Sequence, residues 1–411
     1  MSGERSRWVL LAVLSCITII NYIDRQTVSI LYPAITKQLH LPEQTYTTLV
    51  TLFLVSYTAM YVVGGWLVDR IGARNGLALA LAWWSGATAL TALAHTAEWL
   101  EVCRVMLALG QPIVFSAGVK ACAEFFAPEQ RALATGIFSA GSGVGALVAT
   151  PILATIALRA GWRIAMVGPA AVGLLLVPAW IVAYNRTPRQ PRAPGEEIAP
   201  LRWSEIARHR NAWAVVLPRA IGDPLWYFCL FWIPVYLQQA RHLDLKEIAL
   251  FGWMPFLFAD LGSVVGGSIS DALVRRGRPP VRARVTVLVC IGVVAPLGAL
   301  IGFVPSLWMS ILLMGLIAFI SQCWTITTTT LATDLFPRSS VGAVAGMMGT
   351  AGGLGGAVFS QLIGTTVHRF GFTPAFVLAA LLMPIAVLLL MALLRTQRVI
   401  AQSHACIAHC E

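Results

Sequence analysis

Three ionisable side chains, Asp24, Arg25 and Arg104, stand inside apolar runs of membrane-spanning length. Each costs at least about 2.5 kcal/mol in a bilayer unless it is paired or hydrated. Asp24 and Arg25 lie late in the first run and Arg104 lies early in the fourth, which runs in the opposite direction, so we expect the three to meet. Two arginines against one aspartate leave one excess positive charge, which suits a carboxylate ligand. The alternative is an ion cluster that only fixes helix packing.

A second charged pair, Arg219 and Asp223, lies four residues apart in the seventh run, which Pro218, Pro224 and Pro234 interrupt. Prolines free backbone carbonyls and permit bending, so we predict a gate at this pair.

Three further charges are predicted to be structural. Lys120 and Glu124 are four residues apart near the end of the fourth run, where we expect them to pair with each other or to reach the membrane surface. Asp260 is expected to pair with Arg219 or with a helix end and is given no substrate role.

After the second run stands GGWLVDRIGAR, residues 64–74, with a degenerate copy, GGSISDALVRR, at 266–276. An aspartate at a helix end can pair with basic groups of a neighbouring helix in one conformation and release them in another. We therefore predict a conformational gate; a purely topogenic positive cluster is the alternative. The gating residues predicted here are Gly65, Asp69, Arg70, Gly72, Arg74 and Arg131.

The elements that must position these residues are membrane helices. The chain is 58% hydrophobic and 11% charged, with a mean hydropathy of +0.76. A spanning helix needs about 20 mainly apolar residues, and we count about twelve such runs. The sequence therefore predicts an all-α membrane protein with about twelve transmembrane helices.

Internal repeats divide these helices into two six-helix halves. Residues 135–146 resemble 345–356 in their glycine positions, and the two copies of the 64–74 motif occur in the same order. A proline-rich polar segment separates the two six-helix halves. We expect an N-terminal half at 1–184, a cytoplasmic linker at 185–210, a C-terminal half at 211–396 and a cytoplasmic tail at 397–411.

The net charge of +11 is explained by sidedness rather than by nucleic acid. Most Lys and Arg residues outside the runs fall on one side, which predicts cytoplasmic termini in an inner, or plasma, membrane. We expect a monomer without a cofactor. We also expect no metal, because the His and Cys residues of the tail, 404–410, match no zinc spacing. No catalytic constellation or phosphate-binding loop is recognisable, which argues against an enzyme.

The 64–74 segment resembles the signature loop of the major facilitator superfamily, and this resemblance implies Arg131, which opens the fifth run, as a candidate partner of Asp69. Within that superfamily, residues 21–25, Cys103-Arg104 and 129–136 resemble the anion:cation symporter family. The segments 217–228, 232–237 and 243–262 are similar to hexuronate transporters. The resemblance implies a major facilitator fold and proton-coupled import of a sugar acid such as galacturonate or glucuronate.

Site residues follow from this resemblance. It places proton-coupling carboxylates at two positions. The first is Asp24; at the second this sequence has Gln111 instead of a Glu, and an amide cannot titrate. Three outcomes stay open: coupling through Asp24 alone, which is our hypothesis, facilitated diffusion, or another cation. The substrate-contacting positions that it implies are Tyr22, Arg25, Tyr57, Arg104, Ser142 and Trp324.

Other functions are weighed against this one. Because the family varies its ligand and the sequence is rich in tryptophan, a carrier of aromatic or short dicarboxylic acids is the alternative within transport. A membrane sensor would need a soluble output domain, and none is recognisable in the sequence.

Overall fold

The computed structural model describes residues 2–42, 44–191, 201, 203–241, 243 and 253–394. Residues 192–200 and 202 of the 185–210 linker, the 397–411 tail with its His and Cys residues, and residues 244–252 of the 243–262 segment lie outside these ranges. In the described ranges the chain is helical, without strands. The helices are α1 Ser2–Leu39, α2 Gln44–Thr91, α3 Ala97–Gly110, α4 Ile113–Phe125, α5 Pro128–Ala160, α6 Trp162–Arg186, α7 Trp203–Arg208, α8 Arg210–Gly222, α9 Pro224–Gln239, α10 Met254–Arg275, α11 Pro280–Val294, a 3-10 helix Ala295–Gly302, α12 Leu307–Leu335, α13 Val341–Phe370 and α14 Phe372–Leu393.

Eleven helical stretches in the described residues are long and apolar enough to cross a membrane. One of them, α2, has 48 residues, which is about 72 Å of helix and more than twice the thickness of the hydrocarbon layer. It leaves helical geometry at Gly72, where φ is 82° and ψ is 156°, and so it contains two spans. The predicted all-α membrane fold with twelve spans is confirmed.

Two spans are broken beside a proline. Gln111 precedes Pro112 between α3 and α4, and Asp223 precedes Pro224 between α8 and α9. Proline has no N–H for the helix, so a helical hydrogen bond is missing at each place, while Gln111 and Asp223 themselves keep helical backbone angles. Broken helices in transporters typically lie at the binding site.

Helices of the first six spans, the N group, pack directly on helices of the last six, the C group. A side chain on Gly136 of α5 would lie 2.3 Å from the Ser263 carbonyl oxygen of α10, and one on Gly65 of α2 would lie 2.2 Å from the Gly342 carbonyl oxygen of α13. Glycine is therefore required at these crossings, because any larger residue would separate the backbones.

These crossings lie toward the end of the molecule where α1 begins and α14 ends, which we call the terminal face; the opposite end is the distal face. Thr187 donates to the Ser6 carbonyl oxygen, and Arg210 donates to the Leu393 carbonyl oxygen, so the elements next to both chain ends gather at this face. The flanks of the helices are apolar and exposed, as at Leu158, which is the surface that a lipid-embedded protein requires.

Candidate functional site

Arg25 of α1 lies in a cage of aromatic and amide groups. Its Nη2 donates to the Tyr57 hydroxyl at 2.7 Å and its Nε donates to Gln111 Oε1 at 3.3 Å. The guanidinium carbon is 4.4 Å from the centre of the Tyr22 ring and 4.5 Å from that of Tyr57. Ring faces stabilise a cation without cancelling its charge. Among the described residues, no carboxylate pairs with Arg25.

Arg104 of α3 reaches the same place. It is buried, its Nη1 donates to the Arg25 carbonyl oxygen at 3.1 Å, and its guanidinium carbon is 4.3 Å from the centre of the Phe53 ring. No ion pair of Arg104 occurs in the described ranges either. The predicted meeting of the two arginines therefore takes place, and it leaves two adjacent, uncompensated positive charges.

Asp24 does not join the arginines, contrary to the expected three-residue cluster. Its side chain is fully buried beside Trp84 and Thr88 of α2, and neither carboxyl oxygen makes a hydrogen bond. Consecutive residues of a helix project about 100° apart, so Asp24 and Arg25 face different neighbours. A buried carboxylate without a partner is costly in its charged form, and a bound proton removes that cost.

Gln111 lies between the Arg25 guanidinium and the backbone of α1. Its Oε1 accepts from Arg25, while its Nε2 donates to the Asn21 carbonyl oxygen at 2.9 Å. Asn21 Nδ2 lies 3.5 Å from the Gln111 carbonyl oxygen in return. The amide both donates and accepts, so it holds α1 against the break between α3 and α4 and orients Arg25 without neutralising it.

Tyrosine hydroxyls extend the site toward the C group. Tyr57 and Tyr61 of α2 share a hydrogen bond of 3.0 Å, and Ser142 of α5 lies beside Tyr22. From α9, Tyr227 comes within electrostatic range of Tyr22 and Tyr57. The site thus lies between the two groups and is lined by hydroxyls and ring faces. Of these residues, Tyr61 was missed from the sequence, although its position one turn after Tyr57 was a usable signal.

In the C group, Arg219 and Asp223 form an ion pair of 2.8 Å between Nε and Oδ2. Trp324 of α12 is fully buried, and its Nε1 donates to Asp223 Oδ1 at 3.1 Å. Arg219 also donates to Thr328 Oγ1 at 3.1 Å. This pair is satisfied and joins the break between α8 and α9 to α12. Trp324 contacts Asp223, and its role as a substrate contact stays a prediction.

Asp69 is the centre of one cluster at the terminal face. Its carboxylate pairs with Lys120 Nζ at 2.7 Å and accepts from the backbone N–H groups of Gly342 at 3.0 Å and Ala343 at 2.6 Å. These N–H groups begin α13, so the carboxylate caps a helix of the other group. The expected pairing of Lys120 with Glu124 was wrong, because Lys120 pairs with Asp69 and Glu124 instead accepts from Tyr184 and pairs with Arg189.

Asp271 is the centre of a matching cluster. It pairs with Arg284 at 2.7 Å and accepts from the N–H groups of Ala132 and Leu133, which lie in the first turns of α5. The expected pairing of Arg131 with Asp69 was wrong. Arg131 pairs with Asp334 at 2.9 Å, because it opens α5, the helix that packs against the C group beside Asp271.

The other predicted gating residues lie near the Asp69 cluster. Arg70 stacks on the Trp66 ring at 4.4 Å, and the Arg74 carbonyl oxygen accepts from Trp180 Nε1 at 3.0 Å. Gly65 provides the close approach to α13, and Gly72 provides the break within α2. Across the described ranges, no group of three or more His, Cys, Asp or Glu side chains is placed to hold a metal.

Comparison with known proteins agrees with this architecture. The model of the Major Facilitator Superfamily matches residues 14–360. A hexuronate transporter of Escherichia coli K12 is 28% identical over 391 residues, covering 91% of this chain and 90% of the relative. A galacturonate transporter of Dickeya chrysanthemi is 30% identical over 278 residues, covering 64% and 80%. Among solved structures, the transporter FucP in the outward conformation aligns with this chain at a TM-score of 0.73 and 15% sequence identity. The alignment covers 95% of this chain and 100% of FucP.

Proposed function

Because the chain belongs to the major facilitator superfamily, and is a membrane transporter rather than an enzyme, we propose that it imports a sugar acid, a hexuronate or a close relative, by proton symport through Asp24. We further propose that it acts as a monomer in the inner membrane with both termini cytoplasmic. The observation that carries the proposal is the pair of adjacent arginines, Arg25 and Arg104, that no carboxylate neutralises in the described residues.

The substrate's carboxylate would bind between these two guanidinium groups, which offer N–H donors in planar geometry. The hydroxyls of Tyr57, Tyr61 and Tyr227 are then available to the substrate's own hydroxyls, and the tyrosine rings to its C–H faces. Names of relatives support this assignment, since two similar proteins are a hexuronate and a galacturonate transporter.

Coupling is assigned to Asp24 by elimination within the site. Gln111 cannot titrate, and Asp223 is already paired with Arg219. Asp24 is a fully buried carboxyl without a hydrogen bond, whereas Asp260, which also lacks one in the described ranges, is only half-buried and can stay charged. Asp24 lies about one turn after Asn21 on α1, and the Asn21 backbone carbonyl accepts from the Gln111 amide of the anion site.

Binding of labelled galacturonate to the purified chain tests the anion site. Arg104→Ala is expected to weaken binding by at least about 10-fold, because a charge-assisted contact is worth about 1.5–3 kcal/mol. Glu98→Gln, a change of charge on an exposed side chain of α3, serves as the control and should bind like the wild type. Undiminished binding by Arg104→Ala would refute the arginine site.

Uptake into proteoliposomes tests the coupling. An inward pH gradient should drive galacturonate accumulation by the wild type, whereas Asp24→Asn should catalyse only exchange and equilibration. Wild-type uptake that ignores the imposed gradient would remove proton symport while leaving the substrate assignment intact.

The charge count favours a second candidate, a dicarboxylic sugar acid. Arg25 and Arg104 provide two positive charges, and a dianion would neutralise both. A probable galactarate/D-glucarate transporter of Escherichia coli K12 is 24% identical over 415 residues. Competition between galacturonate and galactarate separates the two candidates, and phthalate in the same panel tests the aromatic alternative.

A further inference from the structure

Asp260 of α10 is a half-buried carboxylate that the sequence left without a function. The expected pairing with Arg219 does not occur, because Arg219 is taken by Asp223. In the described ranges, no hydrogen bond or ion pair reaches Asp260. A Cβ atom built on Gly143 of α5 would lie 2.0 Å from its Oδ2 and 2.3 Å from its Oδ1. The carboxylate therefore lies directly on the backbone of a helix of the N group.

Its position relative to the anion site follows from the faces of α5. Gly145 packs against Tyr22 of α1, whereas Gly143 packs against Asp260 of α10. Ser142 lies about 100° from Gly143 around the helix and stands beside Tyr22. Tyr22 and Asp260 thus flank the part of α5 that carries Ser142, one on the side of each group. The ring of Tyr22 lies in turn against Arg25.

We propose that Asp260 binds hydroxyl groups of the sugar acid, at the opposite end of the substrate from its carboxylate. This inference rests on the proposed function and adds the residue that selects the substrate. An ionised carboxylate only accepts hydrogen bonds, and sugar hydroxyls are donors that match it. With the acid group at Arg25 and Arg104, a substrate that reaches Asp260 contacts both groups of helices.

The same carboxylate disfavours a second acid group. A dicarboxylic sugar acid would place like charges close together at Asp260, which is costly in a site of low dielectric. The two arginines alone would favour a dianion, and Asp260 reverses this preference toward the monoacid. The residue therefore decides between the two candidate substrate classes.

The test compares three acids by competition binding to the purified full-length chain: galacturonate, galactarate and cyclohexanecarboxylate, which has no hydroxyls. Asp260→Asn keeps the shape and removes the charge, Asp260→Ala removes both, and Glu98→Gln is the control. Asp260→Ala is expected to weaken galacturonate binding by at least about 10-fold and to change cyclohexanecarboxylate binding by less than about twofold. Asp260→Asn is expected to raise the affinity for galactarate relative to galacturonate.

Each outcome bears on the inference. Unchanged galacturonate binding in both variants overturns it, and so does an equal loss for all three acids, which would indicate a structural role. Arg104→Ala, measured alongside, should weaken all three acids. If the wild type binds cyclohexanecarboxylate but neither hydroxylated acid, the proposed function fails together with this inference. If the wild type binds galacturonate and the Asp260 variants bind all three acids as the wild type does, this inference fails and the proposed function survives.

Discussion

At the scale of single residues, the site depends on which charges are left unpaired. Arg25 is oriented by Gln111 and Tyr57, neither of which carries a charge to oppose it. Asp69 and Asp223, in contrast, each have a basic partner. A neutral amide at position 111 thus leaves the full charge of Arg25 to the substrate.

Gln111→Glu should make substrate binding depend on pH. Protonated, the new side chain can donate to the Asn21 carbonyl oxygen and accept from Arg25, as the amide does; ionised, it pairs with Arg25 and competes with the substrate's carboxylate. We expect galacturonate affinity to lie at least about 10-fold below that of the wild type at about pH 7 and to recover toward it as the pH falls and the new carboxyl takes up a proton.

Gln111→Met is the matched control, since it keeps the length of the side chain but can neither donate nor titrate. It should bind more weakly than the wild type by a similar factor at every pH. A flat pH profile in Gln111→Glu would contradict the role assigned to the amide.

At the scale of elements, the breaks in the helices determine where functional groups lie. Gln111 and Asp223 stand at proline-adjacent breaks of their spans, and Gly72 breaks α2 into two spans at the terminal face. The backbone at Gly72, with φ of 82° and ψ of 156°, is a conformation that only glycine adopts without strain.

Gly72→Ala should therefore destabilise the protein by about 1–3 kcal/mol, and the cause is backbone strain, because no atom lies within 4 Å of the added methyl group. The change is measured as a lowered midpoint of thermal unfolding in detergent.

Gly86→Ala, in the second span of α2, is the control. It also has nothing within 4 Å but keeps helical backbone angles, so it should be neutral or slightly stabilising. Equal midpoints for the two variants would show that Gly72 is not strained by a side chain.

At the scale of the whole molecule, two related clusters hold the N and C groups together at the terminal face. Asp69 of the N group caps α13 of the C group, and Asp271 of the C group accepts from two N–H groups in the second turn of α5 of the N group. The two aspartates occupy corresponding places in the repeated motif. Opening of this face requires both carboxylates to leave their helix ends, so the pair favours the closed state.

Asp69→Asn and Asp271→Asn should each shift the equilibrium toward opening at the terminal face. Loss of a charged cap is worth about 1 kcal/mol, or about fivefold in population, and the double variant should show the larger effect. The measurement is the rate of maleimide labelling of a cysteine placed at Ser263, which is 1% exposed and whose backbone carbonyl lies against Gly136.

The labelling is done in a chain whose native cysteines are replaced, with Glu98→Gln as the control. Equal labelling rates in the wild type and the double variant would contradict a role for the two carboxylates in keeping this face closed.

Part of the site could be predicted from the sequence. The depth of Arg25 and Arg104 followed from counting along two antiparallel spans, and the two side chains do meet. Counting does not give the direction in which a side chain points around the helix axis, and for that reason Asp24 was placed with the arginines although it faces Trp84 and Thr88.

The sequence by itself determined the number, order and apolar character of the spans and the residue types that can bind an anion, because each is a property of about 20 consecutive residues. Only the tertiary structure decided the partners: Lys120 for Asp69, Asp334 for Arg131, and Gly143 of α5 beneath Asp260. The physical reason is that a helix's neighbours and its rotation are fixed by close packing among residues far apart in sequence, which no local pattern records.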